Sequence, residues 1–149
     1  MAETMTYEEL LERDGQFAFR NKGVSMLPLL REGRDVFILR KKGMDRCRSG
    51  DVVLYKRPPG KYVLHRVIAV REKDYVILGD NCIVKEYGIT DEDIMAVMTG
   101  FVRNGKEHTT EETGYRLYTF GILHTIPFRV FLRKCMNRIN RLRQRNEVS

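Results

Sequence analysis

The chain has 149 residues, of which 42% are hydrophobic and 32% are charged, and its formal net charge is +7 at pH 7. This length fits one domain with one hydrophobic core, and the apolar fraction is too high for a disordered chain. No stretch approaches the roughly 18 consecutive apolar residues of a membrane span. Residues 1–14 hold four glutamates and one aspartate where a secretory signal has basic and then apolar residues. We therefore expect neither a cleaved signal nor an ordinary membrane span.

The three cysteines, Cys47, Cys82 and Cys135, form no CxxC pair and show no Cys/His ligand spacing. An odd number of cysteines without such spacing is typical of free thiols in a reducing compartment. We expect free thiols, no zinc site and a cytoplasmic location.

The first predicted element is a short helix over residues 6–13. Thr6 is a typical N-cap residue, Glu9 follows it three positions later, and acidic side chains occupy the first turn. The helix is predicted to end near Asp14-Gly15.

From there to about residue 108, short β-rich runs alternate with turn residues. This pattern predicts a mainly β fold, a small distorted antiparallel sheet or barrel. Asn104-Gly105 is the preferred pair for a tight hairpin, and the runs on either side of Glu72-Lys73-Asp74 predict another hairpin. The predicted strands are Phe17 to Phe19, Asp35 to Arg40, Asp51 to Lys56, Tyr62 to Val70, Tyr75 to Leu78 and Ile94 to Val102.

A polar connector from Glu107 to Gly114 leads to an apolar segment and then to a predicted helix from about Phe128 to Arg143, with Pro127 in its first turn. Apolar residues recur at three- and four-residue spacing, so this helix is amphipathic. Residues 126–149 carry seven Lys/Arg and one Glu, which leaves 20 basic and 19 acidic side chains in residues 1–125. The predicted organisation is an N-terminal helix (1–14), a β domain (15–108), and a connector with a basic helix (109–149).

The basic helix has three interpretations. Its apolar face packs on the β domain with the arginines in solvent, or residues 120–145 bind an anionic membrane surface, or the arginines contact nucleic acid phosphates. Nucleic acid ranks last because the rest of the chain is nearly neutral and carries no recognition motif. The second interpretation would make the protein peripheral at a membrane.

Four side chains have the chemical types of a serine-hydrolase triad. A serine hydroxyl needs a base within hydrogen-bond reach, commonly oriented by a third group, before it attacks a carbonyl. Ser25 and His65, with a carboxylate from Asp80 or Glu86, supply those types. By themselves they also fit purely structural roles.

Four blocks carry these residues in a specific order: Gly23-Val24-Ser25-Met26-Leu27-Pro28, Ser49-Gly50-Asp51-Val52-Val53-Leu54-Tyr55, Leu64-His65-Arg66-Val67-Ile68 and Leu78-Gly79-Asp80-Asn81-Cys82. Together they resemble the type I signal peptidase superfamily, whose members include the self-cleaving repressor-like peptidases. The resemblance covers roughly residues 20–103. The His-Arg-Val context is similar to the branch that uses histidine as the base, found in endoplasmic-reticulum and spore-former types.

The resemblance implies that Ser25 is the nucleophile and His65 the general base. It implies an acid near Glu86 as the group that orients the histidine, with Asp80 as the competitor that otherwise holds the local turn. Both carboxylates also fit solvated loop positions.

The same resemblance suggests the Ser25 backbone N–H as one oxyanion donor. Some bacterial relatives add a hydroxyl two residues before the nucleophile, but that position is Gly23 here, so a second donor must come from elsewhere. Met26 and Pro28 are expected to pack and shape the turn that holds Ser25.

Two further departures from the family pattern are visible. The Gly-Asp expected after the nucleophile block is interrupted as Gly33-Arg34-Asp35, and the membrane anchors of signal peptidases have no clear counterpart. The predicted function is a serine endopeptidase that cleaves an extended peptide or leader segment without a metal or organic cofactor. The alternatives are a catalytically idle interaction module of the same fold, or a membrane-surface or nucleic-acid-binding protein that acts through its basic helix.

Overall fold

The computed structural model describes residues 5–147, which form two helices and eight strands. The helices are α1 (Tyr7–Asp14) and α2 (Thr113–Glu147). The strands are β1 (Gln16–Arg20), β2 (Asp35–Lys41), β3 (Val52–Arg57), β4 (Lys61–Val70), β5 (Tyr75–Leu78), β6 (Glu86–Ile89), β7 (Ile94–Arg103) and β8 (Lys106–Thr109).

The predicted N-terminal helix is confirmed as α1. The Thr6 hydroxyl accepts a hydrogen bond from the Glu9 N–H (3.2 Å), and the Glu9 carboxylate accepts one from the Thr6 N–H (2.7 Å). Gly15 ends the helix in the left-handed conformation, with φ 71°, which costs glycine little because it has no Cβ.

The strands form one antiparallel sheet in the order β1-β2-β7-β3-β4-β5-β6, and β8 pairs with β7. The hairpins predicted at residues 62–78 and at Asn104-Gly105 are present as β4–β5 and β7–β8. Sequence reasoning missed β6 and β8, which are four-residue strands with few apolar side chains.

The predicted closure into a barrel is wrong. Closure requires the two end strands to pair, but within residues 5–147 β1 pairs only with β2 and β6 only with β5. A cleft lies at this opening, lined by Phe17 and Phe19 of β1 and by Glu86 of β6.

Apolar side chains on the two faces of the sheet form two core clusters. One cluster packs Met26 and Leu30 of the β1–β2 connection against β2, β3 and β7, and the other centres on Val53, Tyr55 and Val67. The first cluster also holds Leu11 of α1. Because Met26 and Leu30 belong to this cluster, the loop between β1 and β2 is anchored in the core.

The predicted start of the C-terminal helix is wrong. Helix α2 begins at Thr113 instead of near Phe128, so Pro127 lies inside the helix and strand β8 occupies the start of the predicted connector. A proline inside a helix removes one backbone hydrogen bond. Burial of Ile122 and Ile126, in the turn before the proline, favours the continuous helix.

Candidate active site

Ser25 lies in the turn that follows β1. The Leu27 N–H donates to the Val24 carbonyl (3.2 Å) and the Leu30 N–H to the Met26 carbonyl (2.9 Å). The Met26 side chain is buried in the first core cluster, so it attaches the turn to the core. Pro28 lies within the same turn, and Gly23, with φ 83°, lies just before the turn.

The loop after β5 holds the Ser25 turn from the other side. The Asn81 N–H donates to the Ser25 carbonyl (2.8 Å), and the Asn81 side-chain amide donates to the Val24 carbonyl (3.0 Å). The Ser25 N–H makes no hydrogen bond within the described residues. It is therefore a donor without a partner among these residues.

Gly79 marks the point of closest approach. A Cβ at this position would lie 2.8 Å from the Ser25 carbonyl oxygen, 2.9 Å from His65 Cδ2 and 2.7 Å from Cys82 Sγ. Real Cβ atoms essentially never come this close to other atoms. The absence of a side chain at Gly79 thus lets the Ser25 turn, the imidazole and the thiol meet.

His65 projects from β4 into the cleft, with its cross-strand partner Val53 on β3. Its Nδ1 lies 3.6 Å from Glu86 Oε1 and 3.4 Å from the Tyr55 hydroxyl oxygen. Its Nε2 faces Cys82 Sγ at 4.0 Å. No hydrogen bond joins the Ser25 hydroxyl to His65 in the described part of the chain, although both residues line the cleft.

Burial lowers the pKa of His65, and the nearby Glu86 carboxylate opposes that shift without cancelling it. Removing an imidazolium from water costs more than removing a neutral imidazole. The ring is therefore neutral at neutral pH, the form that a general base requires.

Glu86 is the carboxylate that reaches the histidine. It accepts a hydrogen bond from the Tyr55 hydroxyl (2.7 Å) and pairs with Arg57. Burial acts to raise the pKa of Glu86, but the hydrogen bonds from Arg57 and Tyr55 outweigh it and the pKa is lowered. Glu86 is therefore charged at neutral pH and sits on the Nδ1 side of the ring.

Asp80 lies in a different environment. Its carboxylate accepts two hydrogen bonds from the Arg66 guanidinium (2.7 and 2.8 Å) and one from the Tyr118 hydroxyl (2.9 Å). Arg66 also donates to the Gly50 carbonyl and to Thr119 of α2. The structure thus brings together Ser25, His65 and Glu86, while Asp80 joins the sheet to α2.

Sequence reasoning missed Tyr55, Arg57 and Cys82. Tyr55 and Arg57 alternate along β3, and the turn at Pro58-Pro59-Gly60, a typical turn sequence, joins β3 to β4 in the register in which Val53 faces His65. That register puts both side chains on the face of His65, so a signal was present. Nothing in the sequence placed Cys82 beside His65, because its position depends on the path of the loop after β5.

The cleft has a volume of about 1290 Å³ and combines polar and apolar walls. Ser25, His65, Cys82 and Glu86 are among its lining residues. A set of apolar lining residues, here termed the apolar trough, consists of Phe17, Phe19, Leu39, Leu54 and Leu64. Its size and lining fit an extended segment of peptide better than a small polar molecule.

Comparison of the chain with protein-family models, curated proteins and solved structures found no match. Among residues 5–147, neither helix contains a stretch both long and apolar enough to span a bilayer.

Proposed function

We propose that the protein is a serine endopeptidase related to signal peptidases, which cleaves an extended peptide or leader segment through an acyl-enzyme. The observation that carries the proposal is the convergence of the Ser25 turn, a neutral His65 and a charged Glu86 on one open cleft.

In the proposed reaction, Ser25 Oγ attacks the scissile carbonyl while His65 accepts the hydroxyl proton. Glu86 stabilises the imidazolium that forms, with Tyr55 and Arg57 fixing the carboxylate. The Ser25 N–H donates to the developing oxyanion. The imidazolium then protonates the leaving amine, and a water molecule, deprotonated by His65, hydrolyses the acyl-enzyme.

Substrate binding is proposed to use the apolar trough and strand addition. β1 ends the sheet, and its Phe17 and Phe19 line the cleft. An extended peptide can therefore pair with the outer edge of β1 while alternate side chains enter the trough.

A second candidate nucleophile is Cys82. Its Sγ is 4.0 Å from His65 Nε2, whereas the Ser25 hydroxyl makes no hydrogen bond to the ring. Burial raises the pKa of the Cys82 thiol, which disfavours the reactive thiolate. Ser25 is therefore preferred.

The deciding experiment combines covalent labelling with peptide cleavage. Purified protein is incubated with an activated-ester acylating probe and with a library of apolar decapeptides, and both are followed by mass spectrometry. We expect one acyl adduct and defined cleavage products, both lost in Ser25→Ala and His65→Ala and both retained in Cys82→Ala.

Matched controls are Ser49→Ala and His124→Gln, since Ser49 bonds the Ile68 carbonyl and His124 is exposed on α2. Activity that survives Ser25→Ala but not Cys82→Ala would assign a cysteine peptidase. Absence of both adduct and cleavage, in folded protein, would instead support an idle interaction module.

A further inference from the structure

Helix α2 has a second apolar side that does not touch the sheet. We define its outer stripe as Phe120, Phe128, Phe131, Leu132, Ile139 and Leu142, whose exposed fractions are 43–63%. At 100° per residue these positions fall within an arc of about 120° on the helix. His124 lies within the same arc, stacked on Phe120.

The opposite side of α2 makes the contacts with the rest of the molecule. Ile122 and Ile126 are buried there, the Tyr118 hydroxyl donates to Asp80, and Arg129 and Arg133 donate to the Asp80 carbonyl and the Asn81 side chain. The sheet therefore does not need the outer stripe, which points away from it.

Helix α2 is strongly basic. The segment from 113 to 147 carries eight Lys/Arg and a single acidic residue, Glu147. Arg138 and Arg143 border the outer stripe on its two sides, as the helical spacing requires.

This combination disfavours two other occupants, a second copy of the chain and nucleic acid, on physical grounds. A second copy packed on the stripe would bring two sets of eight cations together with only one acid on each. Nucleic acid would neutralise the arginines but would leave six large apolar side chains in water. An anionic lipid surface satisfies both features at once, because the apolar side enters the acyl boundary while the arginines meet the headgroups.

We infer that α2 binds the interface of anionic bilayers through its outer stripe and lies in the membrane plane. The loop from 79 to 82 contacts the other side of the same helix. The candidate active site would then stand about one helix diameter, roughly 10 Å, from the lipid boundary. This inference stands independently of the proposed peptidase activity.

The test uses the full chain and sedimentation with vesicles of equal parts phosphatidylglycerol and phosphatidylcholine, compared with vesicles of phosphatidylcholine alone. We expect binding to the anionic vesicles only. Phe128→Ser with Phe131→Ser should weaken it by about tenfold or more, and Arg138→Gln with Arg143→Gln by about tenfold.

The matched control is Met44→Ser with Val70→Ser, two exposed apolar residues outside α2, which should bind like the wild type. Circular dichroism and the urea unfolding midpoint verify that every variant is folded.

Insertion can be read directly because the chain has no tryptophan. Phe131→Trp should show a blue-shifted emission with anionic vesicles, whereas Asn140→Trp, on the other side of the helix, should not.

Equal binding to both kinds of vesicle, no binding at all, or equal shifts from the two tryptophans would overturn the inference. A dimer that Phe128→Ser with Phe131→Ser dissociates would reassign the stripe to a second copy. Tighter binding to a DNA or RNA oligomer than to vesicles would reassign the helix to nucleic acid.

Discussion

His65 and Arg66 are neighbours on β4, and each has an acidic partner from the segment after β5. The pairs His65–Glu86 and Arg66–Asp80 nevertheless differ in burial and in the face of the sheet on which they lie. Consecutive residues of a strand point to opposite faces. Arg66 and Asp80 are fully buried and closed over by Tyr118 and Thr119 of α2. His65 and Glu86 face an open cleft, and their side chains remain 10% and 22% exposed. The same short segment therefore provides a structural tie on one side and candidate chemistry on the other.

The buried pair should dominate stability. Asp80→Asn leaves the Arg66 guanidinium buried without its counter-charge, which typically costs about 3–5 kcal/mol of the free energy of unfolding. Urea unfolding measures this loss, and hydrogen exchange should show that residues 115–122 of α2 become less protected. Asp74→Asn, in the exposed pair with Arg71, is the control and should change stability little. Equal effects of the two substitutions would mean that the Arg66–Asp80 pair does not hold the sheet to α2.

The open pair should dominate activity. Glu86→Gln keeps the shape of the side chain but removes the charge beside Nδ1, so we expect a fall in acylation rate on the order of 10²–10⁴-fold. The unfolding midpoint should change much less than for Asp80→Asn because Glu86 is partly exposed.

Glu112→Gln is the matched control, since Glu112 contacts His108 Nδ1 at 3.1 Å on the surface. An acylation rate that is unchanged in Glu86→Gln but reduced in Asp80→Asn, at equal folded fraction, would reverse the assignment of the two carboxylates.

The difference between the pairs also shows where sequence reasoning stops. Alternating apolar residues and turn signals located β2, β3, β4, β5 and β7, because burial of one or both faces determines the composition of these strands. The choice between Asp80 and Glu86 depended on β6, which the sequence did not indicate, and on whether the loop from 79 to 82 turns toward Arg66 or His65.

Helix α2 illustrates the same limit. Pro127 is typical of a first turn, so its local preference suggested a helix start. Burial of Ile122 and Ile126, together with the Arg66–Thr119 and Tyr118–Asp80 hydrogen bonds that tie the helix to the sheet, extends the helix through the proline. These are long-range contacts, and a local pattern carries no information about them.

A side chain at Gly79, where the two loops approach each other, should slow acylation nearly as much as loss of the Glu86 charge does. In Gly79→Ala the new methyl group must displace the Ser25 carbonyl, the His65 ring or the Cys82 thiol. A misplacement of about 1 Å at a reacting group typically costs on the order of 10²-fold in rate. The acylation rate measures this effect, with Gly43→Ala as control because nothing lies within 4 Å of its Cβ position. A wild-type rate in Gly79→Ala would show that the three groups need not meet for the reaction.

The smallest effect, and the one that tests the open pair without any assumption about activity, is on the pKa of His65. The Glu86 carboxylate favours the imidazolium and the Arg57 guanidinium disfavours it. Glu86→Gln should therefore lower the pKa of His65 further, because it removes the nearby negative charge. Arg57→Leu should raise the pKa of His65, because it removes a positive charge and leaves the charge of Glu86 less neutralised.

Titration of the imidazole Cε1–H signal by NMR measures both shifts. The His65→Gln spectrum assigns the signal, and the His108 and His124 signals are internal references. Since a base must be neutral, the acidic limb of any peptidase activity should move in the same directions, to lower pH in Glu86→Gln and to higher pH in Arg57→Leu. Shifts of the same sign in both variants would mean that burial alone, and not this charge pair, controls the histidine.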